Sequence, residues 1–144
     1  MKGNPQKNAV PLLIGLIRII RDFCQRQERE TCHKLALTSS QLAFLLAMPE
    51  QAEFNVHQVA EVMGLSPSRA SRVADSLVRH GLLSRRTVDS DRRIQLLALT
   101  AAGRTKWQAA RSLLAECEQK LLSKLTAKGS RELEAILKTL VDAW

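Results

Sequence analysis

The chain contains no tyrosine, and aromatic residues make up only 3% of its 144 positions. Its core must therefore be aliphatic. The three cysteines, Cys24, Cys32 and Cys117, form no C-x-x-C pair and are too few for a disulfide scaffold, which fits a reducing compartment. Cys32 adjoins His33, but two neighbouring residues do not make a metal site, and no metal is expected. His33, His57 and His80 are scattered. No Ser/His/Asp or Cys/His constellation, phosphate loop or paired carboxylate set stands out, so neither catalysis nor a cofactor is expected. Long apolar runs are also missing. The stretch Val10–Ile17 follows Lys2 and Lys7 as a signal peptide would, yet Arg18 and Arg21 interrupt it and no small-residue cleavage site follows. It also falls short of the roughly 20 residues that span a bilayer. It reads as a buried helix of a soluble, cytoplasmic protein with no membrane partner.

What is abundant is positive charge. Lys and Arg number 22 against 14 Asp and Glu, giving a net charge of +8. Such a balance points to a polyanionic partner. Apolar residues reach 45%, enough for a packed core.

Periodicity predicts helix, helix, helix, helix, hairpin, helix, helix. Val10–Phe23 is apolar on nearly every side, so it needs cover on two faces, one from its own domain and one from a second subunit. From Arg26 to Lys34 the pattern turns charged, and the helix is expected to leave the core. Thr38 and Gln41 form a capping box ahead of Leu42, Leu45 and Leu46, and Pro49 ends that helix. Asn55 and Gln58 repeat the spacing ahead of Val56, Val59, Ala60 and Met63, with Gly64 at the end. Ser66-Pro67 restarts a helix at once, its buried face marked by Ala70, Val73, Ala74, Leu77 and Val78. After Gly81, Leu82–Val88 and Ile94–Leu99 read as strands joined by a polar turn, Asp89 to Arg93. Thr100 caps a long helix carrying Trp107, Ala110, Leu113, Leu114, Cys117, Leu121 and Leu125. A break is expected at Ala127–Ser130, before a last stripe of Leu133, Ile136, Leu137, Leu140, Val141 and Trp144.

Two short helices joined by the turn Met63-Gly64-Leu65-Ser66 have the helix-turn-helix signature. The outer face of the second helix displays Ser66, Ser68, Arg69, Ser71, Arg72, Ser76 and Arg79. Arginine grips guanine O6/N7 with two hydrogen bonds, and serine reaches phosphates or base edges. Arg85, Arg86, Arg92 and Arg93 place further charge on the hairpin, where a basic wing can follow the minor groove. Between Val56 and Lys106 nine basic residues face four acidic ones, so the charge is concentrated on the motif.

Residues 35–107 resemble the MarR (multiple antibiotic resistance regulator) family. The resemblance rests on Leu37-Thr38-Ser39-Ser40-Gln41, Val59 to Ser68, Ser71-Arg72, Leu77 and Gly81-Leu82-Leu83. It continues through Asp91-Arg92-Arg93 and Leu99-Thr100-Ala101-Ala102-Gly103, which reproduce the order D-x-R…L-T-x-x-G. The resemblance implies a mainly α fold with a small β-hairpin wing, one MarR-like domain over 1–144. A winged helix-turn-helix lobe would occupy 35–100, and helical dimerisation regions 8–30 and 101–144. It implies a homodimer binding double-stranded DNA at a pseudo-palindromic operator, most simply as a ligand-responsive repressor. Asp91 would orient the wing, by pairing with an arginine of the recognition helix, while Arg92 or Arg93 enters the minor groove. A small lipophilic or phenolic effector is implied, or oxidation of a thiol, for which Cys24 and Cys32 are the candidates. The absence of Tyr departs from the peroxide-sensing branch and favours inert cysteines. Two other readings use the same features: a winged-helix module that binds protein, and a nonspecific architectural or RNA-binding protein. The basic wing argues against the first, and the ratio of specific to nonspecific affinity separates the second.

Overall fold

The computed structural model describes the backbone of residues 9–88 and 91–143; the side chains of 9–11, 13 and 91–93 lie outside the description. The elements are α1 (Ala9–Leu35), α2 (Ser39–Ala47), β1 (Phe54–Asn55), α3 (Val56–Met63), α4 (Pro67–Arg79), β2 (Leu83–Val88), β3 (Asp91–Leu99), α5 (Ala101–Leu122) and α6 (Ala127–Asp142). The fold is mainly helical with a small antiparallel sheet, as the sequence predicts.

Local chemistry starts α2 and α3 where the sequence places them. Thr38 Oγ1 accepts from the Gln41 amide while Gln41 Oε1 accepts from Thr38 N–H, closing a capping box at α2. Asn55 and Gln58 do the same at α3. Gly64 ends α3 at φ 61°, and Gly81 turns the chain after α4 at φ 70°, both in the left-handed region that favours glycine. The core is aliphatic around Phe44: Leu42, Leu45, Met48, Val59, Ala70, Ala74, Leu77, Leu83 and Leu97 are buried, and Trp107 closes it from α5. The Trp107 indole N–H donates to Met48 O at 3.2 Å, so its polar edge is satisfied inside.

Four expectations need correction. Helix α1 docks by its charged half. Thr31 and Cys32 are buried, while Leu12, Leu16 and Ile19 on one face are 66%, 50% and 65% exposed and Ile14 and Ile17 on the other 47% and 54%, so among the described residues the chain leaves both faces of the apolar half largely uncovered. The reason is spacing: within the charged stretch, Thr31, Cys32 and Leu35 share one small face that fits against α2 and α5, and the arginines point outward. Strand β3 begins at Asp91, so Asp91, Arg92 and Arg93 belong to a strand rather than to a turn. A register shift lets Thr87 face Gln95 and Val88 face Asp91, which fits more residues of β3 than of β2 into that stretch. The sheet has a third strand: β1 pairs with β3 through Phe54 and Leu97, in the order β1-β3-β2. Finally, α5 ends at Leu122, and Ala127–Ser130 is the first turn of α6, capped by Thr126 Oγ1 on the Gly129 amide.

Thr100 joins the wing to α5. Its amide donates to Leu82 O at 3.1 Å, and its hydroxyl donates to Gly81 O at 2.7 Å. Gly103 then passes so close to Leu82 that a Cβ would overlap the Leu82 carbonyl. The L-T-x-x-G pattern is thus a close backbone crossing.

Candidate nucleic-acid interface

Helix α4 buries Ala70, Ala74 and Leu77, packs Val73 and Val78 against the core, and exposes the opposite face. Arg69 and Arg72, one turn apart in its first half, are both exposed, as are Ser66 and Ser68. Arg79 is exposed at the far end. Ser66 occupies the N-cap without making a side-chain cap bond; its hydroxyl lies 3.3 Å from that of Ser68. The first-turn amides of α4 therefore keep their capacity to bind an anion. They border a notch of about 260 Å³ lined by Asn55, Val56, His57, Pro67, Ser71 and Gln95. Here the N-terminal ends of α3 and α4 meet β3. A polar concavity at two helix N-termini suits a phosphate group.

Ser71 is half-buried in that notch. Ser76 is not on the outer face: its Oγ accepts from Gln41 Nε2 at 2.9 Å and ties α4 to α2. Arg85 and Arg86 alternate across β2, as adjacent strand residues must. Arg85 turns inward to α4, where Nη2 lies 2.5 Å from Asp75 Oδ1. Arg86 turns outward and grips Glu53 with both ends of its fork, Nε to Oε1 at 2.6 Å and Nη2 to Oε2 at 2.5 Å. Its guanidinium holds the Glu53 carboxyl below the usual range. Lys106 is also committed, its Nζ donating to Leu35 O at 2.5 Å. Of the basic residues on the motif, the exposed arginines of α4 are thus outside these internal pairs. The side chains of Asp91, Arg92 and Arg93 lie outside the described residues, and so does any pairing of Asp91.

A family model described as the MarR family matches residues 36–94. That interval holds the capping box, both helices of the motif, the wing and the D-x-R segment. Over that interval the chain is similar to the MarR family. The chain is 25% identical over 118 residues to the HTH-type transcriptional regulator BilQ of Clostridium symbiosum, covering 82% of the chain and 79% of BilQ. It is 31% identical over 84 residues to the HTH-type transcriptional repressor MdtR of Bacillus subtilis, covering 58% and 54% respectively. Among solved structures, a mutant of E. coli MarR complexed with operator DNA superposes with a TM-score of 0.70 at 26% identity, covering 89% of this chain and 94% of that one.

The three cysteines occupy three settings. Cys32 is a core residue whose Sγ lies 3.9 Å from Ser39 Oγ. Cys24 is exposed on α1. Cys117 is half-buried on α5, and burial pushes its thiol up. Among the described residues no group of three metal-binding side chains occurs, and no helix is long and apolar enough to cross a membrane. Sequence reasoning missed Asn55, His57 and Gln95 as lining of the notch, and Asp75 and Glu53 as partners of the wing arginines. The cap spacing at Asn55 was a usable signal for the notch. The two carboxylates had none, because their partners are distant in sequence.

Proposed function

We propose that this DNA-binding transcriptional regulator works in the cytoplasm as a homodimeric, ligand-responsive repressor on a pseudo-palindromic operator. The carrying observation is the pair Arg69 and Arg72, exposed side by side on the first half of the second helix of the motif. That is the segment which reaches base edges in helix-turn-helix proteins. Ser66, Ser68 and Ser71 border the same face and suit phosphate or base-edge contacts, and Arg79 extends it. Arg92 and Arg93, on β3, would track the minor groove, with Asp91 ordering the wing. Arg86 would join them only by exchanging Glu53 for a phosphate. The relative seen with operator DNA supports the same use of this fold.

Dimerisation is supported by uncovered apolar surface at both ends of the chain. Ile136, Leu137, Leu140 and Val141 of α6 are all more than half exposed, as is Ile17 of α1. An effector would find an apolar hollow of about 310 Å³ between α1, α2 and α5, lined by Cys24, Glu28, Leu42, Ala43, Leu46 and Leu114.

Selection of bound fragments from a random duplex pool tests the reading. Enriched sequences should contain two inverted half-sites whose centres lie about 10 base pairs apart, and binding should weaken steeply with salt. Failure to enrich any sequence, with affinity indifferent to salt, would favour a protein partner instead.

A further inference from the structure

Asp75 is the one acidic residue of α4, on the helix offered to a polyanion. It stands one turn from Arg72 and from Arg79, yet its partner is Arg85 of β2. A carboxylate here weakens attraction to phosphates, and its pairing also withdraws an arginine. Both effects oppose DNA binding in simple charge terms, so the pair is explained by geometry. The contact is partly sheltered, with Arg85 at 26% and Asp75 at 41% side-chain exposure. Arg85 Nε is buried without a hydrogen-bond partner among the described residues, and the guanidinium donates from Nη2 to Asp75 Oδ1. Arg85 sits opposite Leu97, which is itself buried and paired with Phe54. The pair therefore fastens the base of the wing to the middle of the recognition helix.

We propose that Asp75 is a positioning residue for DNA recognition: through Arg85 it fixes the angle of the wing against α4, so that helix and wing engage the duplex as one unit. The inference rests on the DNA-binding reading above. Two elements held in register bind with less loss of freedom than two that must find their grooves separately. Loosening the link should then cost most on the sequence both elements fit, and little on DNA where neither is registered.

The test uses the full chain and two probes, a duplex enriched from a random pool by the parent protein and an unselected duplex of equal length. Asp75→Asn keeps the shape and removes the charge. It is expected to weaken the enriched duplex by about tenfold while changing the unselected one by less than about twofold. Simple electrostatics predicts the opposite sign, tighter binding to both. In the parent, Arg72→Ala and Arg93→Ala should combine non-multiplicatively by about threefold or more, and in the Asp75→Asn background their effects should multiply. Arg85→Gln, which removes the charge that Asp75 pairs with, should reproduce the loss on the enriched duplex and serves as the second variant if Asp75→Asn does not fold. Enriched-duplex affinity equal to or above the parent's in a folded variant overturns the proposal, as does coupling that survives the loss of Asp75. A parent that enriches nothing overturns the DNA-binding reading and this inference with it, which is a distinct result.

Discussion

Single side chains divide the work at the interface. Arg72 projects from the first half of α4, while Arg93 belongs to the wing strand. Arg72→Ala should therefore cost about 1–3 kcal/mol on the operator and much less on random duplex, with relaxed discrimination at particular base pairs. Arg93→Ala should weaken both DNAs more nearly alike, and lower the slope of log affinity against log salt by about one unit per subunit. Titrations at several salt concentrations separate the two, and equal losses for both variants would merge the roles. A third residue acts without touching DNA. Because a Cβ at Gly103 would collide with the Leu82 carbonyl, Gly103→Ala should destabilise the fold by about 1–3 kcal/mol through a forced backbone shift. Urea unfolding measures this directly, and an unchanged midpoint would mean that the crossing is looser than its geometry.

At the scale of elements, the wing is fastened on both faces. Asp75 holds Arg85 from the recognition helix, and Glu53, just ahead of β1, holds Arg86 across β3. The Glu53 carboxyl is lowered from its ordinary value chiefly by the hydrogen bond from Arg86. A lowered carboxylate stabilises the fold above its unfolded value and loses that contribution as pH falls through the folded one. Glu53→Gln should therefore change thermal stability by the same small amount across neutral pH, and the difference should close only in acid, below the ordinary carboxylate range. A difference that grows or shrinks between pH 6 and 8 would implicate another group. The pair is exposed, so its contribution is small beside the burial of Leu83 and Leu97, and its effect falls on where the wing sits.

For the whole molecule, the central question is what covers the ends. The apolar half of α1 and the stripe of α6 are uncovered within one chain, and α6 has no buried residue at all. Two such surfaces satisfy one another when two chains interlock. Deleting residues 130–144 should yield aggregated or unfolded protein, because α1 then loses its cover. The parent's melting temperature should rise with concentration, as it does when folding and association are one equilibrium. A soluble, well-folded, monomeric truncation would contradict both expectations.

Sequence alone determined what depends on neighbours along the chain. The capping boxes at Thr38 and Asn55, the left-handed glycines 64 and 81, and the Ser66-Pro67 restart are local chemistry, and they carried the helix-turn-helix from spacing to structure. The outward arginines of α4 followed from helical period, since fixing the buried face at Ala70, Ala74 and Leu77 fixes the opposite one. Tertiary structure decided everything that rests on meetings between distant residues. Strand β1 is too short to show a period, and exists because β3 pairs with it. Ser76 has the residue type of a DNA reader, but Gln41, from another helix, claims it. Arg85 and Arg86 are alike in sequence, and only the sheet turns one towards Asp75 and the other towards Glu53. Helix α1 inverts expectation for the same reason. Hydrophobicity says that a face must be covered, but which surface meets which depends on shape, and within this chain the small face at Thr31 and Cys32 fits where the larger apolar one does not.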